Sequence, residues 1–88
     1  RLSEYREYEV SARRILKALS TQSAGLERDA MLNILMTGQD ASKVEEVDYI
    51  LSKVLEMLEN DGYILKMDSI RIFRSPLLRD YWFNKFVQ

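Results

Sequence analysis

Residues 58–86 read LENDGYILKMDSIRIFRSPLLRDYWFNKF, and this stretch decides which fold the chain is expected to adopt. Asn60-Asp61-Gly62 is typical of a helix end, and β-prone runs follow at residues 63–67 and 70–74. The Asp68-Ser69 pair between the runs has the length of a two-residue hairpin connection, although it lacks the glycine that such turns favour. The stretch therefore predicts a β-hairpin directly after a helix.

The hairpin is expected to turn sharply into a final helix. Ser75 is a favourable N-cap residue, and Pro76 loses no hydrogen bond at the first helical position. At about 100° per residue, a broad apolar face forms around Leu78 and Trp82, and we expect this face to pack on the core. The other members of the face are Leu77, Tyr81 and Phe86.

Two further apolar residues of the final helix, Phe83 and Val87, fall off this face and beside Arg79 and Asp80. Burying one such side chain stabilises a protein by about 1.5–3 kcal/mol, so leaving both exposed is unfavourable. We therefore expect Phe83 and Val87 to contact another part of a parent protein or a second copy of the domain.

The first 57 residues are expected to supply three more helices. Apolar residues at spacings of three and four predict helices over residues 3–20 and 27–36. Ser42 and Glu45 have the spacing of a capping box, which predicts the start of a third helix. The apolar stripe of that helix consists of Val44, Val47, Leu51, Val54, Leu55 and Leu58.

This order of elements predicts a mainly α fold with a small β-hairpin. A three-helix core, a two-stranded wing and a C-terminal helix form the layout of a winged helix-turn-helix, because a lone hairpin is marginal until it packs on helices. The 88 residues suffice for one such domain, which we expect to span residues 1–88. Because the first residue is Arg and not Met, we expect the domain to be a fragment of a larger protein.

The composition excludes most kinds of catalytic site. The chain has no Cys and no His, so thiol nucleophiles, Ser-His-Asp sites and the usual zinc ligands are missing. Its three glycines are scattered and form no phosphate-binding loop. We therefore expect a non-catalytic chain without a cofactor or metal of its own. The cysteine-free composition fits the cytoplasm, and the longest uncharged stretch, residues 30–39, is too short to span a membrane.

Residues 58–64 and 73–82 resemble a known family. The runs LENDGYI and FRSPLLRDYW are similar to the C-terminal winged helix of bacterial and archaeal AAA-type ATP-binding proteins, the relatives of the STAND and archaeal-ATPase groups. The match is specific over residues 58–86 and general over residues 1–57. The resemblance implies an upstream ATPase domain as the partner, with ATP and Mg²⁺ bound in that parent protein. The nucleotide-binding motifs of the family match no position here.

Charge decides whether a winged helix of this kind is expected to bind DNA. Residues 43–62, which include the third helix, carry two basic and six acidic side chains, a net charge of −4. DNA affinity depends on neutralising phosphates with Lys and Arg, so this helix is poorly suited to a DNA groove. Its outward acidic face is either simply solvated or docks protein, and the candidates for protein contact there are Glu45, Tyr49 and Glu56.

The basic residues of the hairpin leave DNA binding as the alternative. Lys66, Arg71 and Arg74 are candidates for contact with phosphates, although strand alternation distributes them over more than one face. The favoured hypothesis is a regulatory interaction module of an AAA-type protein that contacts protein through its acidic third helix or its aromatic last helix. A winged helix that holds duplex backbone through its wing is the alternative.

Overall fold

The computed structural model describes the backbone of residues 2–87 and the side chains of residues 6–87. Within these residues the chain forms four α-helices, one short 3-10 helix and a three-stranded antiparallel sheet. In chain order the elements are α1 (Leu2–Ser20), β1 (Leu26–Glu27), α2 (Arg28–Met36), the 3-10 helix (Ala41–Lys43), α3 (Val44–Asn60), β2 (Ile64–Met67), β3 (Ile70–Phe73) and α4 (Pro76–Phe86). The fold is thus mainly helical with a small antiparallel sheet, and the predicted helices and hairpin lie within a few residues of their expected bounds.

One hydrophobic core unites the helices and one face of the hairpin. The most deeply buried side chains come from α1, α2, α3 and β2, namely Ile15, Leu19, Met31, Leu51, Val54 and Ile64. The predicted stripe of α3 is confirmed from Val47 to Leu58, whereas Val44 is exposed at the first residue of the helix. No described helix combines the length and apolarity that crossing a bilayer requires.

The sheet contains a strand that the sequence did not reveal. The strand order is β1-β3-β2, and Leu26 of β1 lies opposite Arg71 of β3. Gly25, directly before β1, has φ +86°, and a Cβ at this position would lie 2.6 Å from the Arg71 carbonyl oxygen. Two residues are too few to show alternation, so the pattern of the sequence gave no signal for β1.

The hairpin forms in the predicted register with a two-residue turn. Met67 pairs with Ile70, which leaves Asp68 and Ser69 as the connection. Asp68 takes the left-handed conformation at φ 56°, and Asp is one of the few residues other than Gly that adopt it readily. Asp68 therefore replaces the missing glycine.

The predicted capping box at the start of α3 is wrong. The Asp40 carboxylate accepts a hydrogen bond from the Ser42 N–H at 3.1 Å and begins the 3-10 helix. Ser42 consequently lies inside a helical turn and not at a cap position, and Glu45 lies in the first turn of α3. Lys43 is the N-cap residue of α3, without a side-chain cap.

Helix α4 begins as predicted but is rotated relative to the expected face. The Ser75 hydroxyl accepts a hydrogen bond from the Leu78 N–H at 3.1 Å, which confirms the cap. Trp82 is buried and Leu78 packs against the core, also as predicted. In contrast, three residues predicted on the core-facing side are exposed: Leu77 at 82%, Tyr81 at 55% and Phe86 at 45%.

The expected off-core placement is wrong for Val87 only, and a contact of Phe83 with a partner stays a prediction. Phe83 is half-buried, and Val87 packs against the core cluster. Because α4 carries apolar side chains around most of its circumference, hydrophobicity alone could not give its rotation. The Arg74 N–H donates to the Tyr63 carbonyl at 2.9 Å, which continues the pairing of the hairpin to the residue before the Ser75-Pro76 corner.

Candidate interaction surface

The outward face of α3 is acidic and solvent-exposed, as the sequence predicts. Glu45, Tyr49 and Glu56 are all exposed, and their spacings of four and seven residues place them on one row of the helix. The Lys53 ammonium lies 5.5 Å from the centre of the Tyr49 ring. The role of this row in protein docking stays a prediction.

Two other acidic residues of α3 bind arginines within the domain. Arg28, the first residue of α2, donates to the Asp48 carboxylate at 2.5 Å and also to the Ser52 hydroxyl. Near the other end of α3, the Glu59 carboxylate accepts from Arg71 of β3 at 2.8 Å. Two of the acidic side chains of α3 therefore bind α2 and the sheet to the helix.

The basic residues of the hairpin do not form one phosphate-binding patch. Arg71, whose side chain is 13% exposed, is occupied by Glu59, so its proposed contact with phosphate is disfavoured. Lys66 is exposed and lies opposite Arg71, on the face that also carries buried Ile64 and Phe73. Arg74 is exposed and falls on the other face by alternation. The sequence could not show the Glu59–Arg71 pair because it joins two elements.

The hairpin also exposes an apolar face that sequence reasoning missed. Alternation places the side chains of Leu65, Met67, Ile70 and Ile72 together on the face away from Ile64 and Phe73. Leu65 and Met67 are exposed, and the two isoleucines are half-buried. An antiparallel sheet with one solvated face normally carries polar residues on that face, whereas this hairpin carries apolar ones there. The signal was present in the sequence as the apolar members of both alternating runs.

A groove of about 500 Å³ lies between α1, the end of α3 and α4. We call it the aromatic groove, after its lining residues Tyr63, Tyr81, Trp82 and Phe86, which Leu78 joins at the start of α4. The Trp82 and Phe86 rings are in contact, with their centres 4.3 Å apart and their planes tilted by 37°. Tyr81 and Phe86 are both exposed, and Leu77 extends the apolar surface one helical turn beyond Tyr81.

Charged residues border the aromatic groove at both ends. At the Phe86 end, the Arg13 guanidinium lies 6.0 Å and the Lys85 ammonium 5.9 Å from the Phe86 ring centre. Glu9 forms an ion pair with Arg13 at 3.7 Å, and both side chains are largely exposed. At the other end Asp61 lines the groove.

A third feature is a more polar groove of about 610 Å³ between α1, the end of α2 and the start of α3. Its rim includes Arg6, Arg14 and Lys43 together with Glu7 and Glu46. Arg14 donates to the Ile34 carbonyl at 2.6 Å, and Lys43 pairs with Glu46 at 3.7 Å. These contacts use two of the three cations to join the helices or to stabilise α3.

The described residues contain no group of three or more acidic side chains placed to hold a metal ion. Every buried side-chain nitrogen and oxygen in this part of the chain has a hydrogen-bond partner. Comparison with protein-family models, curated proteins and solved structures finds no match to the chain.

Proposed function

We propose that this chain is a non-catalytic winged-helix module, of the kind carried by AAA-type ATP-binding proteins, and that it binds protein through the aromatic groove and Leu77. The observation that carries the proposal is the exposure of Leu77, Tyr81 and Phe86 along one helix beside a groove. Clustered exposed aromatic and aliphatic side chains mark interaction sites, whereas single ones do not.

The winged-helix assignment draws support from the order of elements. Three helices precede the hairpin, β1 between α1 and α2 joins the same sheet, and a final helix packs back on α1. The resemblance of residues 58–64 and 73–82 suggests the partner, which is the ATPase domain of the protein that carries this module. ATP and Mg²⁺ belong to that domain in this proposal, and the cytoplasm is the proposed location.

The alternative of DNA binding has less support. The exposed row of α3 presents Glu45 and Glu56 to any approaching phosphate. The most central arginine of the wing, Arg71, is neutralised by Glu59. Lys66 and Arg74 then remain on different faces of the hairpin, so few phosphates could be contacted together.

The proposal is tested by site-specific photo-crosslinking in the full-length natural protein. A benzophenone side chain at position 77 or 81 is expected to crosslink to the ATP-binding region, identified by mass spectrometry of the crosslinked peptides. The matched control is position 49, where Tyr49 is exposed to the same degree as Tyr81 but lies on the acidic row of α3.

Crosslinks that form from position 49 and not from positions 77 and 81 would move the docking face to α3. A titration with duplex DNA addresses the alternative. Tight binding at moderate salt that is lost on changing Lys66 and Arg74 to Ala would favour DNA over protein.

A further inference from the structure

The three-stranded sheet exposes an apolar surface, which we call its outer face, formed by Leu65, Met67, Ile70 and Ile72. Leu65 is 43% exposed and Met67 is 53% exposed. Charged Lys66 and Arg71 alternate to the other face, so the centre of the outer face carries no charge. Covering these apolar side chains with another surface is favourable in free energy.

Two charged residues lie at opposite ends of the outer face. Glu27 of β1 is the pairing partner of Ile70, so the two side chains are on the same face of the sheet. Arg74 directly follows β3 and alternates to the face of Ile72, since its N–H continues the ladder by donating to the Tyr63 carbonyl. Four residues separate Ile70 from Arg74, which places the two charges about 13 Å apart along the strand.

Neither of these charges is neutralised within the domain. Glu27 and Arg74 are both exposed, and neither forms an ion pair among residues 6–87. The neighbouring cation Arg28 is bound to Asp48 instead. The outer face thus presents an apolar centre with an unpaired anion at one end and an unpaired cation at the other.

A surface with this arrangement is complementary to a second copy of itself. A two-fold axis at Ile72, perpendicular to β3 and parallel to the sheet, places two outer faces against each other with their β3 strands antiparallel. Sheets packed in this way lie about 10 Å apart, with their strands within about 30° of each other. Because Ile72 is midway between Ile70 and Arg74, the axis brings Glu27 of each copy toward Arg74 of the other.

We propose that the outer face of the sheet is a self-association surface, on which a second copy of this chain packs in antiparallel orientation and forms two Glu27–Arg74 ion pairs. The apolar side chains supply the attraction, and the charges set the orientation. From the strand spacing and rise, the face measures roughly 200 Å² per copy, against about 800 Å² per partner in a stable complex. The dissociation constant is therefore expected to be on the order of 0.1–1 mM.

Sedimentation equilibrium of the whole chain, from about 10 μM to about 1 mM, measures this association. Glu27→Arg and Arg74→Glu are each expected to weaken it about five-fold or more at low salt, because each variant brings like charges together at both ends of the dimer. An equimolar mixture of the two variants is expected to recover the wild-type affinity, since both ends of the mixed dimer then join opposite charges. Recovery on mixing cannot arise from contacts within one chain.

A substitution in the apolar centre tests the other half of the interface. Leu65→Ser is expected to weaken self-association by about five-fold or more, because it removes an exposed apolar side chain from the contact. Leu77→Ser is the matched control, since Leu77 is a more exposed leucine on α4. It is expected to leave self-association unchanged. Circular dichroism checks that all four variants are folded.

A chain that remains monomeric at about 1 mM would overturn the proposal. Self-association that survives Leu65→Ser, or that Leu77→Ser weakens equally, would also overturn it by placing the contact elsewhere. Failure of the mixed variants to associate would refute the antiparallel arrangement. None of these outcomes changes the crosslinking expected from positions 77 and 81, so the docking proposed for α4 stands or fails separately.

Discussion

Helices α3 and α4 pack on the same core but expose opposite chemistry to solvent. The outer row of α3 carries Glu45, Tyr49 and Glu56, whereas α4 exposes Leu77 and Tyr81. Charged side chains are well solvated in water, so the row of α3 needs no partner to be stable there. Exposed aliphatic and aromatic side chains gain free energy when covered, which makes α4 the better candidate for an interface.

The largest expected difference in stability lies between the buried face and the exposed face of α4. Trp82→Ala is expected to destabilise the domain by about 3–5 kcal/mol, because it removes a buried aromatic ring between α1 and α4. Leu77→Ala is expected to change the free energy of unfolding by less than about 0.5 kcal/mol, since Leu77 is 82% exposed. Urea denaturation followed by circular dichroism measures both.

A large loss of stability in Leu77→Ala would show that Leu77 serves the fold and not an interface. It would also remove the main support for docking through α4. The expected result is a stable Leu77→Ala variant with altered partner binding. It would show that the exposed face of α4 serves binding and the buried face serves the fold.

The acidic residues of α3 also differ in role, since some form ion pairs within the domain and others are exposed to solvent. Glu59→Ala is expected to cost about 1–2 kcal/mol, because Arg71 would be left largely buried without its carboxylate. Glu56→Ala, three residues earlier on the exposed row, is expected to lie within about 0.5 kcal/mol of the wild type. Thermal melts are sensitive enough, since about 1 kcal/mol shifts the Tm of a domain of this size by about 4–8 °C.

Equal effects of the two substitutions would mean that the Glu59–Arg71 contact contributes no more than an exposed charge. An external phosphate could then replace Glu59 as the partner of Arg71 at little cost. The wing would in that case return as a candidate for binding DNA.

The sequence predicted most features that depend on local spacing, and the Ser42–Glu45 capping box is the exception. The helices, the two-residue hairpin and the Ser75 cap all follow from patterns within a few residues. The rotation of α4 could not be predicted, because apolar side chains surround most of the helix. The Glu59–Arg71 pair and the aromatic groove each join elements distant in the chain, so no local pattern reveals them.

Substitutions at the starts of α3 and α4 are expected to differ in their effect on stability by an intermediate amount. Ser75→Ala is expected to cost about 1 kcal/mol, because the Leu78 N–H loses the acceptor that caps α4. Ser42→Ala is expected to have almost no effect, since Asp40 supplies the acceptor before α3 and the Ser42 contribution is its backbone N–H. If Ser42→Ala were the more costly change in chemical denaturation, the capping box predicted from the sequence would form in solution after all.

The smallest effect is expected at the turn between β2 and β3. Asp68 has φ 56°, a conformation that Asp tolerates better than most residues but that Gly adopts without a Cβ clash, so Asp68→Gly is expected to stabilise the domain by about 0.5 kcal/mol. Asp61→Gly is the matched control, because Asp61 has φ −81° and gains nothing from glycine. There the larger conformational entropy of glycine in the unfolded chain is expected to cost about 0.5–1 kcal/mol. Stability changes of opposite sign for the two substitutions in thermal denaturation would show that the backbone conformation at Asp68 limits the stability of the hairpin. A contact of the Asp68 carboxylate would then not be the limiting factor.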